Sequence, residues 1–196
     1  MVMMAPASAQ ASDALQALTV PLAEASYREK LNLAQVLAES GEPGSRAMLV
    51  ALLESELFVR QADGMIVIAR QKGEQMQLID PFDGSVTDEV PDTGFEKIGT
   101  NNSLRKNLRG LIARLDLNDA SPRVRVAAAK EALRTLDPDM VAAFRQRLEV
   151  EDNARVRRAL EVGLAMTELA SADAAVRLQA VQTLKGADAT EVYTRL

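Results

Sequence analysis

Three guanidinium groups recur at one position in the chain. Arg125, Arg157 and Arg177 each follow a valine, in Val124-Arg125, Val156-Arg157 and Val176-Arg177, and each pair opens an Ala-rich stretch after an Asp-bearing turn. A row of guanidinium groups matches the planar, bidentate geometry of carboxylates and phosphates, so one reading is an anion-binding ladder. The reading preferred here is a structural ladder, in which each arginine meets an aspartate of a neighbouring turn; Asp119, Asp137, Asp152 and Asp173 are the candidates. A second basic group, Arg105, Lys106, Arg109 and Arg114, falls largely off the apolar stripe of one helix. It reads as a solvated face neutralised by Asp116, Asp119 and Glu131, or else as a contact for lipid phosphates or an acidic protein surface. Asp80, Asp83, Asp88 and Glu89 gather the oxygen ligands that a hard cation such as calcium needs. Their spacing is not that of an EF-hand, and Asp80-Pro81-Phe82-Asp83-Gly84 reads more simply as a type I turn leading into a strand.

Other chemistry is restricted by composition. The 196 residues contain no His and no Cys, which removes Ser-His-Asp and Cys-His nucleophile pairs and ordinary zinc sites together. Residues 84–99 have no phosphate-loop spacing, so nucleotide hydrolysis belongs to some other subunit. The expectation is a non-catalytic chain without metal or cofactor. A net charge of -5 gives no overall attraction to polyanions, so no nucleic-acid partner is expected. Zero Cys does not discriminate between compartments.

The elements that hold these residues follow from periodicity. Hydrophobic residues make up 47% of the chain but aromatics only 3%, so the core must be built of Ala, Leu, Val and Met, which suits close helix packing. Pro21 should divide the helical stretch Leu15–Ser40, leaving Tyr27, Leu31, Ala34 and Leu37 on one face. Gly41-Glu42-Pro43-Gly44 then turns the chain into a second helix with Met48, Leu49, Leu52 and Leu53, so residues 26–57 read as a helical hairpin.

From residue 57 to about 90 the period changes to two, in Met65–Arg70 and Gln75–Ile79. Asp63-Gly64, Lys72-Gly73 and Asp83-Gly84 are spaced as hairpin turns, which predicts an antiparallel meander of three or four strands. Its residues Ile66, Ile68, Leu78 and Ile79, with Met65 and Met76, read as apolar filling. Exposed insertions on repeat scaffolds commonly carry recognition, so its tips, with Asp63, Lys72, Glu74 and Asp83, are candidate partner contacts together with Arg105 and Arg109; capping an open end of the helical array is the alternative use. Helical period returns at Asn101, with Leu104, Leu108, Leu111, Ile112 and Leu115 on one stripe and Asn101, Asn102 or Ser103 as cap. The Val-Arg pairs beyond it stand 32 and then 20 residues apart, room for two helices and then for one.

At the N-terminus, Ala9-Gln10-Ala11 has the small-x-small form of a signal-peptidase site, with cleavage after Ala11; a disordered Ala/Ser tail is the alternative. No stretch reaches the roughly 18 apolar residues of a membrane span. The expected organisation is therefore residues 1–11 as signal-peptide remnant or tail, 12–57 as helical hairpin, 58–92 as β-meander insertion and 93–196 as helical repeats, all in one compact domain.

The succession of short turn, Val-Arg and Ala/Leu-periodic helix resembles HEAT repeats, which implies a mainly α fold: a HEAT-like helical repeat array with a small antiparallel β-meander insertion. Several segments in order narrow the resemblance: Phe58–Gly64, Asp80–Gly84, Asn101-Asn102-Ser103-Leu104-Arg105, Ser121-Pro122 with Val124-Arg125, and Ala170–Leu178. Together, from about Tyr27 to Leu184, they are similar to the N-terminal extracytoplasmic region of the bacterial urea ABC-transporter permease subunit. In that family a signal-like leader precedes the helical domain and a permease of the branched-chain amino-acid type follows it. The resemblance implies a periplasmic accessory domain tethered to the inner membrane, with other importer subunits or the solute-binding protein as partners. The translocation path would lie outside this chain. A cytosolic HEAT-like adaptor or chaperone, unrelated to transport, is the rival expectation.

Overall fold

The computed structural model describes residues 7–135 and 138–186. These form eight α-helices and one five-stranded antiparallel sheet, a mixed α/β architecture with a helical majority. The chain divides into two compact units, Met1–Leu111 and Ile112–Leu196.

The first unit opens with α1 (Ala7–Thr19), so residues 7–11 of the expected remnant or tail lie in its first turns, while residues 1–6 are outside the described residues. Pro21 acts as expected: α1 stops at Thr19 and Val20–Leu22 form a single 3-10 turn with proline at its start. Ser26 then starts α2 (Tyr27–Glu39) through a capping box, its hydroxyl taking the Glu29 N–H while the Glu29 carboxylate takes the Ser26 N–H at 2.8 Å. The buried face of α2 is Lys30, Ala34 and Leu37, which corrects the expected stripe: Tyr27 is exposed. Lys30 occupies the interior place because its Nζ donates to the Gly99 carbonyl at 3.1 Å and lies 5.5 Å from the Tyr27 ring centre. Burial lowers the Lys30 pKa.

The turn before α3 (Ser45–Glu54) needs glycine at residue 44. Its φ is +85°, and a Cβ there would stand 2.9 Å from Leu15 Cδ2 and 3.2 Å from Pro81 Cβ. The helix ends at Ser55, a non-glycine residue with φ of +62°, so Leu57 opens a strand and does not close the hairpin as the periodicity indicated.

The sheet comprises β1 (Leu57–Arg60), β2 (Met65–Lys72), β3 (Gln75–Ile79), β4 (Val86–Pro91) and β5 (Phe95–Lys97), in the order β4-β3-β2-β1-β5. Four strands follow the expected meander. The fifth was not read, because three residues are too few to show a period; Phe58 pairs with Lys97 and Arg60 with Phe95. The sheet therefore runs past residue 92, and the unit boundary falls inside α4 (Asn102–Asp116). Lys72 pairs directly with Gln75, so the tight turn is Gly73-Glu74, with Gly73 at φ of +66° as a primed hairpin turn requires. Met76 is buried with Phe58 and Ala69, and Ile66 and Ile68 are buried also, whereas Met65, Leu78 and Ile79 remain half-buried.

One side of β2 outlasts its neighbour, since β3 ends with Ile79 opposite Ile68. Gln16 of α1 takes the place of the missing strand: its Nε2 donates to the Ile66 carbonyl at 2.7 Å and its Oε1 accepts the Ile66 N–H at 3.0 Å. A single side-chain amide thus satisfies both backbone groups of one strand residue.

The second unit holds the end of α4, then α5 (Pro122–Thr135), α6 (Pro138–Val150), α7 (Ala154–Glu168) and α8 (Ala174–Lys185). The interval of 32 residues between Val-Arg pairs contains α5 and α6, and the interval of 20 contains α7 alone. Helix α7 packs against α5, α6 and α8. Ala113, Leu117, Ala128, Ala129, Ala132, Met140, Phe144, Val156 and Leu160 make one buried cluster. Small side chains at the contacts let these helices approach closely. No helix among the described residues is long and apolar enough to cross a membrane.

Candidate functional site

The three ladder arginines reach backwards along the chain to carbonyl groups, not to the aspartate side chains expected. Arg125 Nη1 donates to the Asp119 and Ala120 carbonyls at 2.8 and 3.0 Å. Arg157 Nη1 donates to the Glu151 carbonyl at 3.1 Å and the Leu148 carbonyl at 2.9 Å. Arg177 Nη1 donates to the Ser171 and Ala172 carbonyls at 2.7 and 2.9 Å. In each case an arginine in the first turn of a helix ties down the loop that leads into it. The expected acids act elsewhere: Asp119 Oδ1 accepts the Ser121 N–H, Asp173 Oδ1 accepts the Ala175 N–H as a helix cap, and Asp152 is exposed. Asp137 lies outside the described residues.

Arg125 has one further partner, which the sequence reading missed. Glu151 sits between α6 and the Asn153 cap of α7, with its side chain wholly buried. Its Oε2 accepts from Arg125 Nε at 2.8 Å and Arg147 Nε at 2.9 Å; its Oε1 accepts from Arg125 Nη2 at 2.8 Å and the Asn153 N–H at 2.9 Å. These donors, the Arg125 guanidinium first, hold the Glu151 carboxyl at about 2, well below its ordinary value. Both oxygens of the Glu151 carboxylate are thus engaged within the fold, and the cluster anchors α5 to the α6–α7 turn.

The other candidates are separated. Asp63 is bound by Arg60 at 2.6 Å and accepts the Met65 N–H, so it stabilises its own turn. Lys72 meets Glu89 at 3.4 Å across the β2–β3–β4 surface, and Glu74 stands in the exposed turn. Asp80 and Asp83 fold onto the loop they begin, accepting the Phe82 and Ser85 N–H groups at 2.7 and 2.8 Å, and Asp88 accepts the Glu89 N–H. Among the described residues no three acidic side chains converge. On α4, Asn101 caps the first turn through the Leu104 N–H, Arg105 donates to Ser55 Oγ at 3.2 Å, and Lys106, Arg109 and Arg114 are exposed.

A different constellation forms in the second unit. Helices α5 and α7 line one groove of about 610 Å3 with Arg123, Lys130, Arg155 and Arg158, and with Val126 and Ala159, which are half-buried against the helical core. Among the described residues that line it are four cationic side chains and no carboxylate. Arg123 and Arg155 occupy the same place in two Arg-Val-Arg triplets, immediately before Val124-Arg125 and Val156-Arg157. Sequence reasoning fixed on the second arginine of each Arg-Val-Arg triplet and passed over the first; the signal available was the triplet itself, since alternate residues at a helix start point to different sides. The chain matches no protein-family model, no curated protein and no solved structure.

Proposed function

We propose that this chain is a non-catalytic protein-interaction scaffold with HEAT-like repeats, serving as the extracytoplasmic accessory domain of a urea-type ABC importer permease. The observation that carries the scaffold reading is the thrice-repeated arginine clasp, in which Arg125, Arg157 and Arg177 each secure the loop before their own helix. Equivalent clasps give equivalent helix starts, and helices set side by side in that way present a continuous surface for a partner. The transport context and the periplasmic, membrane-tethered location rest on the resemblance of the ordered segments from Tyr27 to Leu184. The absence of His and Cys supports a non-catalytic role.

The test joins location to partnership. The chain with its natural upstream sequence is fused to a reporter that is active only after export, and the same tagged protein is recovered from membranes after cross-linking. An active reporter and co-recovery of the importer's solute-binding protein or membrane subunits are expected. A silent reporter, with none of those subunits recovered, overturns the transport reading in favour of a cytosolic adaptor. Within the exported protein, charge reversal at Lys72 and Glu74 probes the sheet tip, and it is expected to weaken co-recovery while leaving thermal unfolding unchanged.

A further inference from the structure

Of the four cations that line the groove between α5 and α7, Arg158 donates to the Thr183 carbonyl at 3.5 Å, and the case rests on the other three. Arg123 and Arg155 stand in the first turns of their helices, where the unpaired N–H groups and the helix macrodipole already concentrate positive potential, and neither helix has an acidic residue in that turn. Cations at this end oppose the helix dipole, whereas Asp or Glu would be favourable. Arg125 and Arg157, two residues further on, are held by carbonyls. The Arg123, Lys130 and Arg155 side chains have no ion-pair or hydrogen-bond partner among the described residues. In a chain of net charge -5, the fold thus gathers like charges around one concave surface against local helix preference. Proteins break local rules of this kind at functional sites.

We propose that this groove binds an acidic polypeptide segment in which carboxylates alternate with aliphatic side chains. The cations that line it match carboxylates, and Val126 and Ala159 match aliphatic groups. Nucleic acid fits less well, because no aromatic side chain lines the groove to stack on a base. A lipid surface also fits less well, since headgroups meet protruding cations and these border a hollow. The inference deepens the scaffold reading by naming the chemistry of a partner, and it does not depend on the partner's being a transporter.

The test uses the full chain and a fluorescent nine-residue peptide of alternating Glu and Leu, with fluorescence anisotropy at 150 mM salt. Controls are the same peptide with Lys for Glu, a 12-nucleotide single strand, and phosphatidylglycerol vesicles. Saturable binding of the Glu/Leu peptide is expected, weakened about tenfold or more by Arg123→Glu with Arg155→Glu, as for loss of two rim charge pairs. Both changes place carboxylates in helix first turns, so the melting temperature should stay level or rise, which separates lost binding from lost folding. Lys130→Glu alone should weaken binding by a smaller factor. Peptide binding untouched by these reversals overturns the groove while leaving the scaffold proposal standing. Equal or tighter binding of the oligonucleotide or vesicles, reversed by the same changes, overturns the peptide assignment. No binding of the Glu/Leu peptide by the wild-type chain overturns it as well.

Discussion

The two units fill their interiors in different ways. In the first, Leu15, Leu22, Leu37, Met48, Leu49, Leu52, Leu57 and Ile66 are almost completely buried, and the buried ammonium of Lys30 rests on a carbonyl and a ring. In the second, alanines at 113, 128, 129 and 132 supply much of the buried cluster, and Arg125 and Glu151 are buried as a charged pair. Large aliphatic side chains supply transfer free energy wherever they pack, so the first unit spreads its stabilisation over many apolar contacts. Alanine contacts bury less area each, and the second unit relies correspondingly on a network whose members need one another.

Removing the carboxylate is the strongest way to break this contrast. Glu151→Ala leaves the buried Arg125 guanidinium uncompensated and is expected to cost about 3–5 kcal/mol, measured by denaturant unfolding. Residue-resolved hydrogen exchange should lose protection at Ala129 and Leu160 and keep it at Leu49 and Ile66. Equal loss at all four would show that the two regions do not hold their stability separately.

Acid tests the same carboxylate without mutation. Its pKa falls from 4.5 to about 2 on folding, so its contribution is complete above the unfolded value and is lost as pH falls through about 2. A shift of that size corresponds to about 3 kcal/mol. Unfolding followed between pH 6 and pH 2 should show that loss in the wild type and a much flatter profile in Glu151→Gln.

In the first unit the corresponding probe is Gln16, whose loss strands both backbone groups of Ile66. Gln16→Ala should cost about 1–3 kcal/mol, the desolvation penalty of unmet partners, and should speed exchange of the Ile66 amide. Gln16→Glu, which accepts but cannot donate, sharpens the test by restoring only one of the two bonds.

The smallest effect is expected at Arg157, half exposed, whose bonds to the Leu148 and Glu151 carbonyls are joined only by a 4.0 Å approach to Glu161. Arg157→Ala should lower stability by about 1 kcal/mol, less than Arg125→Ala, and the ratio of the two in thermal melts checks it. Unchanged stability with lost partner binding would return Arg157 to the ligand-binding role weighed from the sequence.

Much of the secondary structure follows from local chemistry. Pro21 lacks a backbone N–H and its ring crowds the preceding turn, so it cannot sit in a helix interior; Ser26 and Asn101 offer cap oxygens, and the Gly73 turn joins two alternating runs, so these elements were readable where they stand. The repeated Val-Arg pairs likewise announced equivalent helix starts. What needed the folded chain was every partner set by proximity across sequence. Strand β5 is defined only by β1, Lys30 is admitted inward only because Gly99 lies beside it, and Gln16 completes a strand 50 residues away. Glu151, not its aspartate neighbour, faces Arg125 because the α6–α7 turn points that one side chain inward. The basic groove is of the same kind: Arg123 and Arg155 are 32 residues apart and become neighbours only when α5 and α7 pack together. Periodicity encodes which face a residue takes, but the identity of what meets that face is a property of tertiary contact, and charge becomes a site only where the contact concentrates it.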